Sequence, residues 1–263
     1  MLELSRDNYH SLEAERDYMS RSQYLGFLNC EAKEMARLSG EWTEEKSTAL
    51  LVGSYVHAWA EGRRKEFIAE HPEMFKKDGG LKAEYVGADK MIAALESDPL
   101  AMFTLQGQKE VILTGEFAGV AWKVMLDAYL PEKRRMADLK TTKSIREKSW
   151  SLELEARVSF IEQYKYVFQS AIYCEIERIA AGRPEYDWLD FYIVAASKEN
   201  VPDKEVIDMR DPERYVRELE AVKAVMPRII QVKAGEVEPI RCERCDYCKS
   251  TRKLSKAVHY TEL

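Results

Sequence analysis

The chain has 263 residues, 46% of them hydrophobic and 33% charged, with a net charge of −6. That is enough apolar material for a sizeable core, and too much for a disordered chain. No apolar run approaches the length of a membrane span and the opening MLELSRDNYH lacks a signal peptide's apolar region, so a soluble, cytoplasmic protein with no membrane partner is expected. A net negative chain is a poor indiscriminate coat for nucleic acid, although a local basic groove stays compatible with DNA binding. Three of the five cysteines crowd into CERCDYC near the end, a pattern unlike an extracellular disulfide framework.

The stretch YHSLEAERDYMSRSQYLGFLNCEAKEMARL predicts a loop and then a helix capped by Ser20 or Ser22. Tyr24, Phe27, Leu28, Met35 and Leu38 recur at helical spacing, with Cys30 inside the helix. After the polar link GEWTEEKST, a second helix is expected from about Ala49 to Ala69. In it His57 lies one turn after Gly53, a residue small enough to let another element approach beside the imidazole. His71 to Gly80 reads as loop and Ala83 to Glu96 as helix. The strand-rich core begins at Gln108 to Leu113, where Glu110 is either an accessory acidic residue or a solvent-side strand residue. Gly115 and Gly119 bracket the expected turn before the next strand.

The chain is organised around Gly119 to Ser144, GVAWKVMLDAYLPEKRRMADLKTTKS. Runs of strand formers from Val120 to Leu130 and from Met136 to Thr142 flank a turn with Pro131, Lys133, Arg134 and Arg135, which predicts a hairpin-like pair. Side chains alternate along a strand, so Asp138 and Lys140 share one face and Leu139 points to the other. Asp127 approaches from the neighbouring strand. Two carboxylates and the Leu139 carbonyl form a hard-oxygen site suited to Mg²⁺ or Mn²⁺, and a lysine alongside can orient or acidify a metal-bound water.

Downstream, Phe160 to Ala180 reads as one amphipathic helix in which Gln169 and Tyr173, four residues apart, share a face. Leu189 to Ala196 reads as a buried strand, Glu205 to Met209 as another strand and Pro212 to Val232 as a helix. The tail RCERCDYCKSTRKLSKAVHY carries Cys242, Cys245 and Cys248, three thiols close enough to hold a metal or an iron–sulfur cluster, with Cys30 the best candidate for a fourth ligand. Cys174 is expected to be packed. The pattern implies an α/β (α+β) fold with a central mixed sheet flanked by helices. Residues 1–100 form a helical region contributing His57 and Cys30, 101–235 the core and 236–263 a cysteine-bearing tail, all within one compact unit.

The ordered series Gly53/His57, Asp127, Asp138-Leu139-Lys140, Gln169/Tyr173 and the terminal cysteines resembles the RecB-like branch of the PD-(D/E)xK nucleases. It is most similar to the phage RecE-type (exonuclease VIII-like) subgroup. The resemblance implies a restriction-endonuclease-like core and a Mg²⁺-dependent exonuclease that digests duplex DNA ends 5′ to 3′. His57, Asp127, Asp138 and the Leu139 carbonyl would hold metal, Lys140 would position the attacking water, and Gln169 and Tyr173 would arrange the strand. It also implies a [4Fe–4S] cluster at Cys30, Cys242, Cys245 and Cys248, with Zn²⁺ as the alternative because the last cysteine spacing is shorter than usual. A phage annealing protein as partner and a homo-oligomeric ring come by the same route. Arg134, Arg135, Lys143, Arg146, Arg252 and Lys253 are candidates for phosphate contacts. Alternatives are a RecB-like nuclease with single-strand or endonuclease specificity, a non-catalytic DNA-end-binding scaffold, and a zinc-organised structural protein.

Overall fold

The computed structural model of the chain describes residues 1–44 and 48–262. Seven helices come first: α1 (Leu12–Asp17), α2 (Arg21–Asn29), α3 (Glu31–Ser39), α4 (Thr48–Ala60), α5 (Arg64–Glu70), α6 (Ala83–Glu96) and α7 (Pro99–Thr104). Strands β1 (Val111–Phe117), β2 (Val120–Leu126), β3 (Ala128–Leu130), β4 (Arg135–Thr142), β5 (Ser149–Ser151) and β6 (Ala156–Val158) follow. Then come α8 (Phe160–Gln163), α9 (Tyr166–Ala180), β7 (Asp190–Ser197), β8 (Lys204–Asp208), α10 (Pro212–Lys233) and α11 (Asp246–Ser250).

The central sheet runs β3-β4-β7-β8. β4 and β7 are parallel, and the two outer pairings are antiparallel. A parallel pair needs a long crossover, which α9 helps to supply, and helices on both faces then bury both central strands. Along these strands the side chains sort by parity. Met136, Ile193 and Ala195 pack with Phe168, Ile172 and Met226 of α9 and α10. Leu139, Val194 and Ala196 pack with Val52, Val56 and Met91 of α4 and α6. Leu139 is fully buried, and truncating it to Ala would cost about 2–5 kcal/mol.

The mixed sheet and flanking helices agree with the fold expected from the sequence. The expected hairpin is more elaborate, because its first run breaks at Asp127. β2 pairs with β1, while β3 pairs with β4 through Ala128↔Ala137. The β1–β2 turn is the two-residue Ala118-Gly119, both at positive φ (50° and 84°), as the right-handed strand twist favours. Gly115 is not part of that turn. It pairs with Trp122 inside β1, where a Cβ would meet Ile179 of α9 at 2.9 Å.

Three expected helices are subdivided. Ser20 caps α2 by accepting from the Gln23 N–H, but Cys30 stands at the joint between α2 and α3 in extended backbone (φ −168°, ψ 104°). The chain turns there, which leaves Leu28 47% exposed rather than in the core stripe. Ala49 to Ala69 divides into α4 and α5 at Gly62, whose φ of +79° a helix does not accept. Phe160 to Ala180 divides into α8 and α9 at left-handed Lys165. Of the polar link Gly40 to Thr48, residues 45–47 lie outside the described residues. Helix α7 and the β5–β6 hairpin were not expected from the sequence.

Candidate active site

The break at Asp127 makes the site. Leaving the β2 ladder, Asp127 turns its carboxylate onto β4, and the Leu139 N–H donates to its Oδ2 at 2.7 Å. The N–H and C=O of one strand residue face the same edge, so the Leu139 carbonyl is also directed toward the Asp127 side rather than into β7. His57 on α4 brings Nδ1 to 3.3 Å from the same Asp127 Oδ2. Gly53, one turn before His57, faces β4, where a Cβ would come into ordinary contact with Thr141 Oγ1 at 3.4 Å.

On the adjacent position of β4, Asp138 is 4% exposed. Its Oδ1 accepts from Gln169 Nε2 of α9 at 2.9 Å, and its Oδ2 lies 2.6 Å from Lys140 Nζ. That Oδ2 is buried and receives no well-directed hydrogen bond, so its contact with Lys140 is an ion pair with lone pairs left over. Lys140 Nζ also sits 4.9 Å from the Tyr166 ring centroid, within cation–π range. Tyr173, one turn after Gln169, lines the same cleft and packs edge-on against Phe191 at 6.0 Å.

Electrostatics set the two carboxylates apart. Burial raises the Asp127 carboxyl, but His57, Lys140 and the Leu139 N–H outweigh it and hold it below the usual carboxylate range. Burial pulls the His57 imidazole down, and Asp127 more than restores it, leaving it above its ordinary value. Asp138 goes the other way. Burial and the Asp127 charge push it up even though Lys140 opposes them. Buried Asp138 and half-buried Asp127 thus differ in proton affinity, and both present carboxylate oxygens toward one cleft. Carboxylate oxygens, a carbonyl and an imidazole fit Mg²⁺ or Mn²⁺ in ligand type.

The cleft around these groups has a volume of about 550 Å³ and opens between α2, α4, β4 and α9. The sequence reading missed several of its residues. Tyr9 and His10 line it from the N-terminal arm, and Arg21, Glu61, Arg63 and Lys198 from elsewhere. Glu110, for which a solvent-side position stood open, is turned into the cleft. It contacts Arg6, which also reaches Glu61 Oε2 at 2.6 Å. Burial and then the neighbouring Glu110 carboxyl push Glu61 up to about 7. No short motif marks these residues, which come from separate stretches of the chain and meet only in the folded structure.

None of the six basic residues proposed for phosphate contact lines the cleft. Arg135 is 8% exposed, lies against the Phe103 ring and donates to the Phe103 carbonyl at 2.8 Å. Arg134 is bound to Asp187, Arg146 to Asp203 and Glu205, and Lys143 to Glu147. Arg252 and Lys253 are exposed on the tail. Arg134 and Arg135 stand at the start of β4, the end of the strand away from Asp138 and Lys140.

A second cluster joins the chain's two ends. The sulfurs of Cys30, Cys242, Cys245 and Cys248 all lie within 4.8 Å of one another, with Cys30 and Cys248 at 3.6 Å. The Cys245 N–H donates to Cys242 Sγ at 3.3 Å and the Cys248 N–H to Cys245 Sγ at 3.5 Å. Backbone donors at Arg244 and Cys245 push the Cys242 thiol down to about 6, which favours the thiolate that binds metal. Cys174 is elsewhere, fully buried in the main core.

The Asp/Asp-x-Lys constellation at a strand break in a mixed sheet defines a PD-(D/E)xK nuclease-type protein. Residues 20–251 match the family model described as a PDDEXK-like domain of unknown function (DUF3799), and the chain belongs to that family. It is 40% identical to a protein of Eubacterium rectale whose crystal structure is provisionally designated an exonuclease. That match covers 100% of this chain and 98% of the other, with a TM-score of 0.92. A structure designated SSO0001 is 16% identical over 86% of this chain and 93% of that chain, and its TM-score of 0.29 carries no argument. No curated protein matches.

Proposed function

We propose that the protein is a Mg²⁺- or Mn²⁺-dependent exodeoxyribonuclease that hydrolyses phosphodiester bonds at duplex DNA ends. The carrying observation is that Asp127, at the end of one strand, and the ion-paired Asp138 and Lys140 of another line a single cleft. The exonuclease designation of the 40% identical relative supports the same reading.

His57, Asp127, Asp138 and the Leu139 carbonyl would hold the cation. When bound, it supplies Lewis-acid stabilisation of phosphate charge and a more acidic water. Lys140, anchored to Asp138 and against Tyr166, presents an ammonium that can orient the attacking water and stabilise the phosphate oxygens as charge develops. Gln169 fixes the rotamer of Asp138. Tyr173 and Arg21 line the cleft where a strand would lie. Digestion 5′ to 3′, a phage annealing partner, a ring assembly and a cytoplasmic setting are proposed on the RecE-type resemblance of the motif series. Residues 1–100, 101–235 and 236–263 are proposed to act as one unit, because the first contributes His57 and Cys30 and the last contributes the remaining cysteines.

At the cysteines the proposed occupant is Zn²⁺ ahead of a [4Fe–4S] cluster. Four sulfurs around one ion at a Zn–S distance of about 2.3 Å lie roughly 3.8 Å apart, close to the observed spacing, whereas a cluster requires the thiolates to spread.

End-labelled linear duplex and covalently closed circles, each incubated with Mg²⁺ and with chelator, test the activity. Degradation of the linear form alone, and only with Mg²⁺, is expected. Equal digestion in chelator would overturn the metal requirement, cutting of closed circles would indicate an endonuclease, and no cutting with tight end binding would indicate a scaffold.

A further inference from the structure

The lysines and arginines lining the cleft divide by partner. Lys140 is paired with Asp138, Lys123 with Glu15 and Arg63 with Glu61. Arg21 has no carboxylate partner among the described residues, but it caps the Tyr164 carbonyl and lies over the Tyr166 ring at 5.6 Å. Lys198 differs from all of these. It follows the last residue of β7, and its N–H donates to the Thr142 carbonyl at 2.8 Å. This bond fixes its backbone beside the end of β4, two residues beyond Lys140. Its Nζ has one hydrogen bond, to the Ala49 carbonyl at 3.3 Å, and no carboxylate partner among the described residues.

Lys198 is exposed where it lines the cleft, and its ammonium is held there by the Ala49 carbonyl. The exposed basic residues Arg134, Arg146 and Lys143 each have an acidic partner. A cation with no carboxylate partner among the described residues, in the wall of a cleft and beside the C-terminal end of the strand bearing Asp138 and Lys140, suits an anion that arrives with the substrate. Arg21 stands on the wall formed by α2 and α9, and Lys198 on the wall formed by β7 and the start of α4. A strand crossing the Asp138–Lys140 pair therefore meets a cation on each wall.

We propose that Lys198 binds a backbone phosphate of the DNA strand next to the scissile one, and so sets how the strand lies across Asp138 and Lys140. This rests on the nuclease reading and adds a positioning residue to it. A phosphate contact carries no base preference, so its loss should weaken binding uniformly across sequences.

The test is fluorescence anisotropy of a labelled duplex with a single-stranded overhang, measured in chelator so that nothing is cut, across a salt series. Lys198→Gln should weaken binding roughly 5- to 10-fold at low salt and reduce the slope of log K against log salt by about 0.7–0.9, the share of one phosphate. Lys198→Arg should restore most of both. Arg146→Gln, remote from the cleft, should change neither. An unchanged slope in Lys198→Gln, with wild-type protein binding normally, would overturn the Lys198 contact and leave the nuclease reading standing. Wild-type protein that binds neither end of the probe would overturn both. Because the readouts are a slope and its rescue by arginine, a merely destabilised variant cannot imitate the expected result.

Discussion

Gln169 of α9 donates its amide to Asp138 Oδ1 of β4 at 2.9 Å, joining two motifs that lie 31 residues apart in the chain. The bond lies in a buried setting, where a carboxylate oxygen without a donor is costly. The helix motif is thereby tied to the carboxylate itself as well as to the space a substrate would fill.

Gln169→Ala removes that donor and leaves Asp138 Oδ1 buried and unpaired. A stability loss of about 1–3 kcal/mol is expected, together with a raised Mg²⁺ requirement, because the freed carboxylate protonates more easily and loses its rotamer. Thermal melts and an activity titration against Mg²⁺ read the two effects separately. A variant with wild-type Mg²⁺ half-saturation would show that Gln169 does not orient the ligand.

Much of this site was legible in the sequence because strand geometry leaves little choice. Alternation alone put Asp138 and Lys140 on one face and Leu139 on the other, and their 2.6 Å ion pair follows. One helical turn between Gln169 and Tyr173 likewise put both on the cleft. What stayed hidden depends on single backbone residues leaving a regular conformation. Cys30 in extended backbone and Gly62 and Lys165 at positive φ each divide a continuous apolar pattern without a proline to announce it. Charge is also blind to tertiary context. Arg135 looked like a phosphate ligand in its basic cluster but is buried against Phe103, whereas the isolated Lys198 faces the cleft.

Glu61 predicts a pH dependence of stability. Its carboxyl is pushed up to about 7, by burial first and by Glu110 next, while the unfolded chain has the ordinary value near 4.5. Between those values the folded state holds a proton that the unfolded state has lost, so stability falls as pH rises. Glu61→Gln removes the titration. In chelator, the variant's melting temperature should exceed that of the wild type by more at pH 8 than at pH 5. A gap that stays constant over that range would show that Glu61 does not carry the proton.

His57 is 29% exposed at its side chain and touches Asp127, which is itself proposed to hold metal. Its partial exposure means that little packing is lost on truncation, so His57→Ala should cost at most about 1–2 kcal/mol. Loss of an imidazole ligand and of the group that orients Asp127 should raise the metal half-saturation 10- to 100-fold. Isothermal titration with Mn²⁺ measures this without relying on turnover. Unchanged Mn²⁺ affinity in a protein with a lowered melting temperature would make His57 a packing residue.

The four thiols predict a structural link between the chain's ends. Cys30 sits where α2 meets α3, and the other three lie on the tail, where Cys245 caps α11 by accepting from the Cys248 N–H. The small apolar cluster around them contains few residues, so hydrophobic burial alone holds the tail weakly and ligation should supply much of its order. Metal analysis of protein purified without oxygen should find about one Zn²⁺ per chain, and an iron–sulfur cluster would instead show as brown colour and visible absorbance. Cys30→Ser should release the ion and leave the tail sensitive to trypsin at the exposed Arg252 and Lys253, with the core cut far more slowly. Cys174→Ser, in the main core, should destabilise the protein without changing its metal content. A tail equally resistant in Cys30→Ser and wild type would show that ordinary contacts hold it and that the thiols are not its anchor.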